Sequence, residues 1–126
     1  MIEIINLTRQ KIRQDLIINI VQKVLVGEKD KKWDISICLV GCAKIRELNK
    51  KFRNIDRPTD VLSFANLEIK GSKNKIGEIF VCPKMIAKGE MSWAIIHSVL
   101  HLLGYTHEES KKDSERMRKK EAKYLI

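Results

Sequence analysis

The chain has 126 residues, 44% of them hydrophobic, which suffices for one compact domain over residues 1–126 with a real core. A net charge of +9 favours polyanionic partners such as nucleic acid or the ribosome, although the basic residues scatter over helix and loop positions instead of forming one block. No apolar run approaches a membrane span, Met1–Asn6 lacks the pattern of a secretory leader, and the three cysteines without Cys-x2-Cys spacing read as reduced thiols, so the expectation is a cytoplasmic protein with no membrane contact.

Met1 to Asn6 reads as a short strand. Thr8 is a plausible cap for a following helix in which Ile12, Leu16, Ile20 and Val24 recur every four residues, with Ile17 and Val21 beside them, and which Gly27 ends. After a charged loop, Lys29–Lys32, the residues Trp33, Ile35, Ile37 and Leu39 alternate with Asp34, Ser36 and Cys38 at the period of a strand. Ile45, Leu48 and Phe52 mark a shorter helix, Arg53 to Thr59 a polar loop, and Val61 to Phe64 a strand. Leu67 to Lys75 is a basic loop around Gly71, and Ile76 to Cys82 is a strand that Pro83 stops or turns into a short helix. Met91 to Leu103 is apolar nearly all round, which predicts a helix in the centre of the core. Glu108 to Leu125 carries acids early and lysines late, as a helix dipole favours, and its thin stripe of Met117, Tyr124 and Leu125 predicts a surface helix. Strands and helices interleave, with helices gathered at the C-terminal end: an α+β fold.

All three histidines fall in one window, His97 to His107. On a helix, His97 and His101 share a face. Gly104 can end that helix and turn the chain back, so that His107 returns to the same point. Three neutral imidazoles with a fourth position open form the ligand set of a catalytic zinc, one ion per chain, rather than a structural one. Cys82 is a weaker candidate ligand, since the histidines suffice. The His-x3-His-x2-Gly-x2-His spacing is also that of the metzincin proteases, but their general-base glutamate is replaced by Ser98.

The same window, read as His97-Ser98-Val99-Leu100-His101-Leu102-Leu103-Gly104-Tyr105-Thr106-His107, resembles the His-Gly-x-Leu-His-Leu-x-Gly-Tyr-Asp-His signature of YbeY-type endoribonucleases, the rRNA maturation factors. Leu48-Asn49-Lys50-Lys51-Phe52-Arg53-Asn54-Ile55-Asp56-Arg57-Pro58-Thr59-Asp60-Val61-Leu62-Ser63-Phe64 and Gly77-Glu78-Ile79 resemble two further blocks of that family. The resemblance implies a four-stranded mixed sheet with about five helices and a zincin-like metal helix at the centre. It implies zinc on His97, His101 and His107, and a functional arginine at Arg53. It also implies cleavage of single-stranded RNA, with rRNA of the small ribosomal subunit as partner, in 3′-end maturation and ribosome quality control. Three features depart from the family: Ser98 stands for glycine, Thr106 for aspartate, and the segment from Ile79 to His97 is short.

A zinc so held lowers the pKa of its water toward roughly 7, and either that water or the ribose 2′-OH is then a candidate nucleophile. Arg53 offers planar, forked donors for the charge that builds on phosphate oxygens, and Glu78, Asp56 and Asp60 are candidate helper acids. Two rival readings remain open. A metallopeptidase would need the base that position 98 lacks. A non-catalytic assembly factor with a structural zinc would need a fourth protein ligand.

Overall fold

The computed structural model describes residues 1–66, 74–106 and 110–125. The elements run β1 (Ile2–Asn6), α1 (Gln14–Gly27), β2 (Trp33–Leu39), α2 (Cys42–Arg53), β3 (Val61–Asn66), β4 (Lys75–Val81), a 3-10 turn (Pro83–Met85), α3 (Met91–Leu102) and α4 (Lys111–Tyr124). The strand order is β1-β2-β4-β3, with β1, β2 and β4 mutually parallel and β3 an antiparallel edge. This is the expected four-stranded mixed sheet in an α+β fold. The described residues hold four α-helices where about five were expected, because only the 3-10 turn occupies the connection from β4 to α3.

Alternation along the strands divides the core between two faces. Ile35, Ile37, Leu39, Ile79 and Val81 are buried in the larger cluster with residues of α1, α3 and α4. Leu62 and the partly buried Cys38, Phe64 and Phe80 belong to a smaller cluster with Ile45 and Leu48 of α2. Thus α3 lies centrally on one face and α2 on the other. Edge strand β3 packs against both helices.

Two local expectations are corrected. Thr8 caps no helix: its hydroxyl donates to Asn6 Oδ1 (2.6 Å) and accepts from the Gln10 amide (3.2 Å), and α1 begins only at Gln14 with Arg13 as its cap. The buried stripe of α1 is Ile17, Val21, Val24 and Leu25, whereas Leu16 is 47% exposed. A strict four-residue repeat winds about 40° around a helix at each step, so the run through Leu16, Ile20 and Val24 does not stay on one face. The basic loop expected at Leu67 to Lys75 lies largely outside the described residues, as do Glu108 and Glu109 at the expected start of α4. No helix among the described residues is long and apolar enough to cross a membrane.

Candidate metal centre

A close contact and a helix stop fix the C-terminal end of α3. Near its C-terminus, Leu102 packs against Gly77 of β4, where an added Cβ would fall 2.6 Å from Leu102 Cδ1, so glycine lets the helix approach the sheet closely. The helix then stops at a Schellman turn. The Gly104 amide donates to the His101 carbonyl and the Tyr105 amide to the Leu100 carbonyl, both at 3.1 Å, and Gly104 takes φ +100. This is the chain reversal that the glycine in the histidine window predicts. Tyr105 is held by a hydrogen bond from its hydroxyl to Glu28 Oε1, just past the end of α1. His107 itself lies outside the described residues.

His97 and His101 converge as their spacing requires. Their Nε2 atoms are 3.0 Å apart, and the rings meet edge-to-face with centroids at 4.5 Å. Two nitrogens each about 2.0–2.1 Å from a tetrahedral zinc stand about 3.3 Å apart, so this approach suits a shared ion. Trp93, one turn earlier, stacks on His97 with ring centroids at 4.8 Å. On its other nitrogen, His97 Nδ1 is 3.3 Å from Glu121 Oε2 of α4. The His97 side chain is 17% exposed and that of Glu121 only 6%. Among the described residues, no cluster of three or more His, Cys, Asp or Glu side chains gathers to hold an ion, so the described part of the centre is this pair. Ser98 faces the core, fully buried, and its hydroxyl donates to the Ala94 carbonyl at 2.7 Å.

Arg53 joins the histidines from the opposite side of the sheet. It ends α2, where Asn54 adopts a left-handed conformation and its backbone N–H donates to the Lys50 carbonyl. The buried Asn49 steadies the following loop by donating from Nδ2 to the Arg57 carbonyl at 2.9 Å. As a result Arg53, Asp60 and Ser63 line the same cleft, of about 410 Å³, as His97, His101 and Leu102. A separate hollow of about 440 Å³, lined by Glu28, Tyr105, Thr106 and Arg116, contains neither His97, His101 nor Arg53.

The other candidate groups are placed elsewhere or are already engaged. Asp60 lines the cleft, but its Oδ1 accepts from the Val61 amide (2.8 Å) and the Thr59 hydroxyl (3.2 Å). Asp56 pairs with Arg46 Nε at 2.9 Å, and that guanidinium holds its carboxyl below the ordinary value. Glu78 is exposed and lines a different hollow, beside Phe52, Phe64 and Phe80. Cys82 is buried in the smaller cluster, 3.6 Å from Cys42 Sγ, and does not line the cleft of His97 and His101; burial first and Cys42 second push its thiol up. Residue-type reasoning missed Glu121 altogether. Its signal was a carboxylate set between Met117 and Tyr124 on the one apolar stripe of α4, a position where a charge needs a partner.

A family profile described as Endoribonuclease YbeY matches residues 3–126. The chain belongs to the YbeY family. An Endoribonuclease YbeY from Thermodesulfovibrio yellowstonii is 36% identical, covering 98% of this chain and 94% of that protein. Another, from Thermotoga maritima, is 39% identical over 101 residues, or 72% of this chain and 65% of the relative, so the match spans just under two thirds of that YbeY protein. The fold agrees as well. A solution structure of a Thermotoga maritima protein is similar with a TM-score of 0.62 and 32% identity, covering 99% of this chain and 87% of the other.

Proposed function

We propose that the chain is a zinc-dependent endoribonuclease that cuts single-stranded RNA in the cytoplasm, acting on rRNA with the small ribosomal subunit as partner, in 3′-end maturation and ribosome quality control. The observation that carries this reading is the shared cleft: two imidazoles aimed at one point from α3, with the Arg53 guanidinium on the same lining. Relatives named as endoribonucleases supply the reaction class, and the charge of +9 suits a polyanionic substrate.

In this reading His97, His101 and His107 hold one zinc ion. Bound there, zinc supplies Lewis acidity, polarising a phosphoryl oxygen and bringing the pKa of water toward neutrality. Arg53 binds the scissile phosphate with its fork and stabilises the charge that grows on the non-bridging oxygens. Asp60 lines the cleft with its Oδ1 held by the Val61 amide and the Thr59 hydroxyl. Peptide hydrolysis is disfavoured by the chain itself, because Ser98 faces away into the core and provides no acid for a leaving amine.

The test is cleavage of an end-labelled single-stranded RNA by the purified protein, with casein in parallel. RNA should be cut, a chelator should stop the reaction, and casein should stay intact. Chelator-resistant RNA cleavage, or casein hydrolysis lost in His97→Ala, would overturn the reading. At Arg53, both Arg53→Ala and Arg53→Lys should slow single-turnover cleavage by about a hundredfold or more, because lysine keeps the charge but lacks the fork. Filter binding should show little change in affinity. If affinity collapses while bound RNA is cut at the normal rate, Arg53 is an anchor and not a catalytic residue.

A further inference from the structure

We infer that Glu121 is a positioning residue for the metal centre: from α4 it holds the proton of His97 on Nδ1 and so keeps Nε2, the nitrogen aimed at His101, available as a ligand. The inference rests on the zinc site proposed above and adds a residue outside the histidine window. An imidazole binds a metal through a nitrogen that carries no proton. Its neutral ring has one proton, and the hydrogen bond made by the other nitrogen decides where that proton sits. In His97 the Nε2 atom lies 3.0 Å from His101 Nε2, while Nδ1 lies 3.3 Å from a carboxylate oxygen. A carboxylate oxygen within hydrogen-bonding distance of Nδ1 favours the tautomer that carries its proton there, which leaves Nε2 as the ligand nitrogen.

Three further observations fit this role. Glu121 is 4% exposed as a residue, and burying a carboxylate is costly unless it is paired and hydrogen-bonded. It occupies a core-facing position of α4 between Met117 and Tyr124, where a leucine would pack without that cost. And Trp93 stacks on the imidazole face at 28° between ring planes, so the ring is restrained from its face by α3 and at its edge by α4. The negative charge beside Nδ1 also makes Nε2 a stronger donor to a cation.

The experiment measures zinc affinity of the folded protein by competition with a chromophoric chelator, for wild type, Glu121→Ala, Glu121→Gln and Met117→Ala. Long-range 15N correlation NMR of the zinc-loaded wild type and Glu121→Gln reads the protonated nitrogen of each histidine. Glu121→Ala should bind zinc about 10–100-fold more weakly. Glu121→Gln keeps an acceptor oxygen without the charge, so it should lose less affinity and retain the Nδ1 proton. Met117→Ala opens a cavity in the same helix interface and should lower thermal stability without a comparable loss of affinity. Circular dichroism checks that each variant is folded, and Glu121→Gln, nearly isosteric, carries the test if Glu121→Ala is not. The inference is overturned if both Glu121 variants match wild type, if Met117→Ala weakens zinc binding as much as Glu121→Ala, or if His97 carries its proton on Nε2 in the loaded protein. A wild-type protein that takes up no zinc would instead refute the metal site itself.

Discussion

Helices α3 and α4 pack together at the candidate metal centre, yet they are built in opposite ways. In α3 the buried residues run almost continuously from Ala94 to Leu102, and the side chains that escape the core are the histidines. In α4 only Met117, Glu121 and Tyr124 are buried, and most of the rest is charged. The first helix is fixed by volume, packed against the sheet and α1. The second is fixed by a few contacts, several of them polar: Glu121 to His97, and Tyr124 and Lys120 to Glu28 of the α1 end. Packing sets where the imidazoles of α3 stand, with the Nε2 atoms of His97 and His101 3.0 Å apart, whereas a polar group beside the other nitrogen of His97, the Glu121 carboxylate, comes from α4.

The largest effect that would break this division of labour is at His101. It is an exposed residue, so His101→Ala should fold normally while losing retained zinc and RNA cleavage together. Elemental analysis beside a cleavage assay checks this. Zinc content equal to wild type would mean that α3 does not carry the ligands, and the contrast between the helices would lose its meaning. A smaller effect tests whether packing positions α3. Gly77→Ala would drive a methyl group to within 2.6 Å of Leu102 Cδ1 in a filled core, with Trp33 also 3.4 Å away. Overpacking of this kind costs about 1–3 kcal/mol, read as a lower urea midpoint at unchanged slope. An unchanged midpoint would show that the helix has room to slide along the sheet.

The same contrast explains what could be read from the chain beforehand. The alternation of Trp33, Ile35, Ile37 and Leu39 fixed the face of β2 because each residue's own neighbours in sequence carry the signal, and all four are buried. The spacing of His97, His101 and Gly104 was legible for the same reason, since helix geometry and a Schellman turn are local. Arg53 came only through the resemblance to a family, because nothing near it in sequence says that α2 ends beside α3 across the edge of the sheet. Glu121 and Glu28 were not seen at all. Their partners lie 24 residues away at His97 and 77 or more at Tyr105, Lys120 and Tyr124. A glutamate in a charged helix looks like solvated surface until the fold shows what faces it.

The smallest predicted effect is on the polar side, at Glu28, where pH gives it a direction. The Glu28 side chain is 8% exposed. Burial raises its pKa, but the hydroxyls of Tyr105 and Tyr124 and the Lys120 ammonium, at 3.1 Å, donate to it and outweigh burial, so the folded value lies below the ordinary 4.5. A depressed carboxyl stabilises the fold fully above its unfolded value and loses that contribution as pH falls through the folded one. Glu28→Gln keeps one acceptor but turns an NH2 toward a donor, so it should cost roughly 1 kcal/mol near neutrality. The difference between wild type and variant should then shrink as the pH drops below about 4.5. Urea unfolding of both proteins across that range isolates Glu28, because every other titrating group is common to the pair. A gap that stays constant from neutral to acid would mean that the Glu28 carboxylate charge does not hold α4 to the end of α1.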